Sequence, residues 1–414
     1  MLTKLQKTFH ELPPRFWMLV GASFIDHVGA KMVFPFFSLY ITSKFNVGMT
    51  EAGLLLGLFH ISGLAGSLVG GALADRFGRK LIVLFGLVIS ASSAVMMGLV
   101  EQLAVFYMLA VIVGLLSDIA GPAWQAMVAD ILPEEKRTEG FGVMRVIDNM
   151  AWIIGPLIGG FIATRSYLLL FVIDACASLI TAALIFRLIP ETKPAAAPGQ
   201  VQESTLQTFG GYGKVLADRL FTAFLLAAMI MTIVYLQMYG SLSVFLRDVH
   251  GVAEQGFSMV MATSAITVVL FQFWVSRKAK NYPPMLMMAL GAALYMFGFS
   301  MYGFVSAFPL FLAAMVVITF GEMLVVPVSQ TVAANFAPED MRGRYMAIFG
   351  LSWAIPGALG PLAAGLVMDN YNPNYVWYMG GVLCFVSALC FLALHRAARA
   401  RFAAMAVRVA VPGD

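Results

Sequence analysis

Gly71-Ala-Leu-Ala-Asp75-Arg76-Phe77-Gly78-Arg79-Lys80 lies between two apolar runs, each long enough to cross a bilayer. The run before it, Ala52 to Leu73, is rich in Gly and Leu. The run after it, Leu81 to Val100, carries no charge. Asp75, Arg76, Arg79 and Lys80 cannot lie in hydrocarbon, so they mark a membrane surface. Three of these four are basic, which assigns that surface to the cytoplasmic side. A turn this tight calls for glycine, because Gly78 can adopt backbone angles that are costly for other residues.

Composition extends this reading to the whole chain. Of its 414 residues, 60% are hydrophobic and 12% charged; a soluble domain carries about twice that charge. Backbone groups in lipid must bond internally, which leaves helices or a closed barrel. The runs are long and lack two-residue alternation, so helices are expected. The net charge of +4 is no nucleic-acid signal, because the basic residues sit in short loops beside spans. Cys176, Cys384 and Cys390 all lie inside apolar runs, which argues against a disulfide framework or a metal site. No cofactor is expected. Met1 to Pro14 has no small-residue cleavage site and reads as a cytoplasmic lead-in.

Twelve spans are expected at about 15–43, 51–74, 80–100, 103–130, 140–163, 167–188, 218–246, 255–275, 285–304, 308–334, 343–368 and 375–395. The stretch Pro190 to Leu216, with Pro194, Pro198 and Gly199, reads as a flexible linker. The expected division is an N-terminal six-helix bundle at 1–189, a cytoplasmic linker at 190–217 and a C-terminal bundle at 218–414. Basic residues outside the spans fall almost all on one side, and only Lys44, Arg165 and Arg247 fall on the other. This asymmetry sets both termini in the cytoplasm of a multi-pass cell-membrane protein. The chain also repeats. Pro122 falls on Pro327, Pro133 on Pro338, Gly155-Pro156 on Gly360-Pro361 and Gly160 on Gly365, all in one register. Two parallel six-helix halves with the substrate between them near the midplane are the architecture such a repeat implies.

The opening stretch matches in full the loop signature of the major facilitator superfamily, G-x-x-x-D-R-x-G-R-K, through Gly71, Asp75, Arg76, Gly78, Arg79 and Lys80. The fifth span carries Gly142, Gly155, Pro156, Gly159 and Gly160. It resembles the antiporter signature of the drug/proton branch, with Ala151 standing where glycine is usual. Small residues let helices approach closely, and proline lets a helix bend, so plain helix packing is the competing reading. The resemblance implies an all-α integral membrane protein with twelve helices in two pseudo-symmetric bundles.

Charges within the spans are few. They are Asp26 and Lys31 in the first, with His27 beside them, Asp118 and Asp130 in the fourth, Arg145 and Asp148 in the fifth, Asp174 in the sixth and Glu322 in the tenth. Each is costly facing lipid, so each should face a cavity or a partner. Arg145 and Asp148 are three apart and can pair. A bacterial multidrug/proton antiporter group has carboxylates at several of these places. By that resemblance, Asp75, Asp130 and Arg76 or Arg79 form a charge relay, and Asp148 and Glu322 carry the proton, with Asp26 and Asp118 as further candidates. An embedded carboxylate suits this work because desolvation disfavours its charged form. The alternative for Glu322 is a hydrogen-bonded carboxyl that locks the tenth span. The branch often has an arginine in the middle of the fourth span; Val105 to Gly114 offers none, and Arg145 is the expected substitute.

Met and Phe crowd the seventh and eighth spans, where Tyr235, Gln237 and Tyr239 add polar handles. With Met238 and Arg145 they are the expected substrate cavity, suited to amphiphilic small molecules. The expected activity is proton-coupled export of lipophilic or cationic compounds by alternating access. The expected partners are the bilayer, protons and that substrate, with no nucleic acid, and the expected state is a monomer. A transporter of a metabolite, siderophore or lipid has the same fold. A membrane enzyme is the rival of a different class, and a non-transporting membrane receptor is a third reading. An enzyme would need a nucleophile-base or metal constellation, and none of the five histidines is paired at ligand spacing. The chain has no G-x-x-x-x-G-K-[ST] loop, so an ion gradient is the expected energy source.

Overall fold

A computed structural model describes residues 11–193, 212–338 and 341–410. The lead-in at 1–10 and most of the expected linker, 194–211, lie outside the described residues, as does the side chain of Asp75. Among the described residues every regular element is helical. The helices are α1 (Pro14–Val33), α2 (Phe37–Phe45), α3 (Met49–Phe77), α4 (Arg79–Leu99), α5 (Leu103–Ser117), α6 (Ala120–Ile131), α7 (Arg137–Ala163) and α8 (Tyr167–Leu188). There follow α9 (Arg219–Tyr235), α10 (Gln237–Gly240), α11 (Leu242–His250), α12 (Glu254–Ala279), α13 (Pro284–Phe304), α14 (Phe308–Phe336), α15 (Arg342–Asn370) and α16 (Tyr375–Ala410).

Eleven helical stretches among the described residues are long and apolar enough to cross a membrane. The first expected span is helical over the same region but is not one of the eleven. Asp26, His27 and Lys31 lower its hydropathy, and a 3₁₀ turn at Phe34–Phe36 separates α1 from α2. Pro35 sits in that turn and cannot donate a backbone hydrogen bond. The fourth span breaks between Ser117 and Ala120. Pro122 accounts for this: its missing N–H leaves the carbonyl of Asp118 without its i+4 donor, and that carbonyl accepts from the Gly121 N–H at 3.3 Å. The seventh span breaks twice, at Leu236 and Ser241.

The chain divides into two compact units. The first comprises Met1–Pro198 with Tyr239–Ala262, the second Gly199–Met238 with Thr263–Asp414. In the first unit α1 packs on α7 and α8, α3 on α5, and α4 on α8. Phe16, Leu19, Val83, Met127 and Ile185 form part of its buried core. In the second, α13 packs on α14 and α16, and α9 on α15 and α16. Trp377, Tyr295, Tyr302 and Phe299 are fully buried there, and Tyr302 Oη donates to the Phe311 carbonyl at 3.2 Å. Where the solvent is lipid, close packing rather than hydrophobic transfer holds helices together. The contacts fit that rule. A Cβ on Gly155 would come within 2.7 Å of Lys31 Cβ, and one on Gly159 within 3.0 Å of Phe36 Cε2, so α7 lies directly on α1 near its end. Among the described residues, nothing lies within 4 Å of such a Cβ on Gly142 of the same motif. In the second unit, Gly360 would bring a Cβ within 3.0 Å of Gln237 Nε2, beside the first break of the seventh span. Each unit thus seats the same glycine of the repeat against a helix that is interrupted nearby.

Candidate functional site

The loop signature is built by one residue with an unusual backbone. Gly78 has φ 102° and ψ 154°, ends α3 and precedes α4. This is a conformation that favours glycine. The turn brings Arg79 back beneath α6, where its Nε lies 3.3 Å from Asp130 Oδ2. Both side chains are largely buried, and both atoms lie off the line of a hydrogen bond. Arg79 Nη1 donates to the Ala74 carbonyl at 3.2 Å. Arg76 stays exposed with its guanidinium 5.3 Å from the Phe77 ring. Lys80 Nζ donates to the Phe186 carbonyl at 2.7 Å and lies over the Phe186 ring.

Glu191 completes this corner, although nothing in the sequence reading singled it out. Its Oε1 accepts from the Arg79 N–H at 2.8 Å, and its Oε2 from the Lys80 N–H at 3.2 Å. These are the first two residues of α4, whose leading N–H groups have no partner within the helix. The N–H groups of Thr192 and Lys193 add bonds of 2.9 Å each. Partial burial pushes the Glu191 carboxyl up, but the N–H groups of Lys193, Arg79, Thr192 and Lys80 outweigh it and hold its pKa below the ordinary value. The signal available was an acid just past a span end, in Pro190-Glu191-Thr192-Lys193, and it was hidden inside a stretch read as linker.

Asp148 on α7 faces α1. Its Oδ1 lies 3.2 Å from His27 Nδ1 and 3.3 Å from Lys31 Nζ. Lys31 Nζ also sits 5.1 Å from the centroid of the Trp152 ring, within the range of a cation–π contact. Trp152 in turn packs at 4.7 Å against Tyr239 and at 5.8 Å against Phe34. Arg145, the expected i+3 partner of Asp148, lies on the exposed side of α7. His27 and Lys31 share a helix face by their spacing, but only the fold shows that α7 supplies the acid they meet.

Glu322 on α14 has a different environment. Its Oε1 accepts from Tyr235 Oη at 2.9 Å. Tyr235 is buried and packs against Tyr295 at 5.8 Å and Trp353 at 5.7 Å. The crevice beside it, lined by Tyr235, Tyr295, Ser329, Ser352 and Trp353, holds about 10 Å³, barely room for one water. Of the other expected cavity residues, Gln237 and Met238 are buried, and Gln237 Nε2 donates to the Ile233 carbonyl at 2.9 Å. Tyr239 belongs to the first unit, while Tyr235, Gln237 and Met238 belong to the second. Asp26 accepts a hydrogen bond of 2.8 Å from Ser178 Oγ across α1 and α8. Asp118 stands at the break between α5 and α6.

The family model of the Major Facilitator Superfamily matches residues 19–361 and, in an overlapping second match, 237–407. A Na(+), Li(+), K(+)/H(+) antiporter of Planococcus maritimus is 29% identical over 374 residues, which is 83% of this chain and 87% of that protein. Multidrug resistance protein MdtH of Shigella flexneri is 24% identical over 373 residues, covering 89% of this chain and 90% of its own length. Among solved structures, a mutant of the nucleoside transporter NupG superposes with a TM-score of 0.81 at 14% identity, over 92% of this chain and 99% of that one. A likeness at that identity speaks for the fold alone.

Proposed function

Because the chain belongs to the major facilitator superfamily, and so is a multi-pass membrane transporter rather than an enzyme, we propose that it exports lipophilic, cationic small molecules in exchange for protons. The observation that carries this reading is Glu322. It is a carboxyl in the middle of a spanning helix whose hydrogen-bond partner is the neutral hydroxyl of Tyr235. A bare carboxylate in hydrocarbon costs several kcal/mol, so a proton is its simplest counter-charge. Loading and releasing that proton as access alternates couples the gradient to the substrate. Asp148 is the second acid of the cycle. Lys31 already supplies it with a fixed cation, so a cationic substrate competes with Lys31 for it. The loop corner of Arg79, Asp130 and Glu191 holds the cytoplasmic ends of α3, α4 and α6 together in one access state. Both termini lie in the cytoplasm of the cell-membrane protein, with residues 190–217 linking the two bundles.

One relative favours a second reading. The Planococcus protein is named as an antiporter of alkali cations and protons, and the same acids serve exchange of Na⁺, Li⁺ or K⁺. Proteoliposomes separate the two. With an imposed pH gradient, wild-type protein should drive efflux of a lipophilic cation such as ethidium, and Glu322→Gln should lose that efflux while it still folds and inserts. Proton release on adding alkali salts, with no movement of ethidium, supports the second reading. Normal coupled efflux by Glu322→Gln makes Glu322 structural and moves the proton to Asp26 or Asp118.

A further inference from the structure

The first unit contains a cavity of about 310 Å³ bordered by its own helices. Its walls come from α1, the 3₁₀ turn after it, α2, α3, α4, α5 and α8, with Phe34, Phe37, Phe59 and Phe171 as the aromatic part. Three titratable side chains open onto it from three different helices or their ends: His60 on α3, Asp118 at the α5–α6 break and Asp174 on α8. Asp118 is exposed, and His60 and Asp174 are half-buried. His60 and Asp174 have no part in the proposed exchange, and Asp118 enters it only as a fallback proton site.

The two acids are set into the wall by close packing. A Cβ on Gly63 would collide with the Asp118 carboxylate, and one on Gly29 would come within 2.9 Å of Asp174 Oδ1. The absence of a side chain at these two positions makes room for the acids. Asp26, one turn from Gly29 on α1, is answered by Ser178 Oγ at 2.8 Å. Among the described residues, no side chain donates a hydrogen bond or a salt bridge to Asp118 or Asp174, and no lysine or arginine lines the cavity. An intramembrane acid normally faces a partner or a cavity that supplies one. Here the wall contributes two carboxyl groups and aromatic surface, and it contributes no positive charge.

The walls also decide the kind of cation. A hard metal cation such as Ca²⁺ or Mg²⁺ needs several oxygen ligands converging on one point. Among the described residues, no three His, Cys, Asp or Glu side chains are placed to hold a metal ion. A cavity of several hundred Å³ with apolar and aromatic lining and a few polar groups fits a small organic molecule. Aromatic rings attract organic cations through their quadrupoles, above all alkylammonium groups. The break in the fourth span points the same way, because discontinuous helices in transporters border ligand sites. We propose that this cavity is a binding site for a small hydrophobic organic cation, an aromatic or alkyl ammonium, with Asp118 and Asp174 supplying the counter-charge and the phenylalanines the apolar wall. The site lies wholly within the first unit. It rests on the reading of the chain as an exporter of lipophilic cations and adds to it the place where such a cation is held.

Equilibrium dialysis on the purified full-length chain tests this, with benzyltrimethylammonium as the probe. Its near-isostere benzyldimethylamine N-oxide has no net charge and serves as comparison. The expected result is saturable binding of the ammonium, weaker by about tenfold or more for the N-oxide. Asp118→Asn and Asp174→Asn should each weaken the ammonium by a similar factor. Ser90→Leu, which fills the cavity without touching a charge, should abolish binding. Glu134→Gln, an exposed acid far from these walls in sequence, should bind as wild type. Thermal unfolding of each variant confirms that it is folded, and Ser90→Leu keeps the test sharp if an Asp variant is not. Equal affinity for the N-oxide overturns the proposal, as does wild-type binding by Asp118→Asn, Asp174→Asn and Ser90→Leu. Displacement of the ammonium by Na⁺, Li⁺ or K⁺ one for one, dependent on the two acids, also overturns it in favour of a metal-ion site. Absence of binding alongside pH-driven ethidium efflux refutes this site and spares the proposed function. Binding without any coupled efflux does the reverse.

Discussion

Removing the contact between Arg79 and Asp130 should weaken the protein in a way that a second mutation repairs. The two groups face each other at 3.3 Å with side chains 13% and 17% exposed. At an effective dielectric constant of about 20, Coulomb's law gives about 5 kcal/mol for unit charges at this distance. Desolvation of both ions removes much of that, and the hydrogen-bond geometry is poor. A net coupling of about 1–3 kcal/mol remains. Arg79→Gln alone leaves Asp130 as a part-buried unpaired acid and should cost about 2–4 kcal/mol. Asp130→Asn alone leaves Arg79 with its bond to the Ala74 carbonyl and should cost less. The double mutant should therefore be more stable than the sum of the singles implies. The assay is reversible unfolding by SDS in mixed micelles, read by tryptophan fluorescence, for all four proteins of the cycle. A coupling under about 0.5 kcal/mol, within ordinary additivity, refutes the claim that the loop signature works through this pair.

Two further outcomes follow from the geometry and a third from the basic loops. Lys31→Met should destabilise by about 1–2 kcal/mol, because Asp148 loses its fixed cation, and adding Asp148→Asn should recover most of that in the same unfolding assay. The Glu191 carboxyl has a folded pKa below its ordinary 4.5, so its contribution is complete above that value and fades as pH falls below it. Wild-type melting temperature should drop more steeply than that of Glu191→Gln between about pH 5 and pH 3, and parallel curves refute the capping role. Cysteines introduced at Lys44 and Arg165 should react with an impermeant thiol reagent outside intact cells while one at Lys280 stays protected; the reverse pattern overturns the sidedness drawn from the basic loops.

The helices were legible because lipid imposes a simple rule on sequence, and the interruptions were not because hydropathy carries no phase. The sixth span is expected at 167–188 and found at Tyr167–Leu188. The fourth is expected as one run and found as two helices. Pro122 was visible as a member of the repeat, but its consequence depends on context. Its equivalent, Pro327, lies inside α14, which runs unbroken from Phe308 to Phe336. The same residue at the same register breaks one helix and not the other, so the proline alone could not have told them apart. Glu191 was missed for another reason. Two of its four partners are backbone N–H groups more than a hundred residues away, and a backbone donor leaves no trace in side-chain identity.

The two acids that the sequence treats alike, Asp148 and Glu322, differ in what balances them. Asp148 has a lysine at 3.3 Å and a histidine at 3.2 Å, and Glu322 has a phenol. An ion pair and a neutral hydrogen bond respond oppositely to a passing cation. A cation approaching Asp148 must displace Lys31 from a charge and from the Trp152 ring, so substrate and lysine exchange places with little change in net charge. A proton gained or lost at Glu322 alters net charge by one unit. Under the proposed exchange, the titrating step therefore belongs to Glu322 and the competing step to Asp148. This division follows from the partners and not from the acids, which is why no reading of carboxylate positions alone could have drawn it.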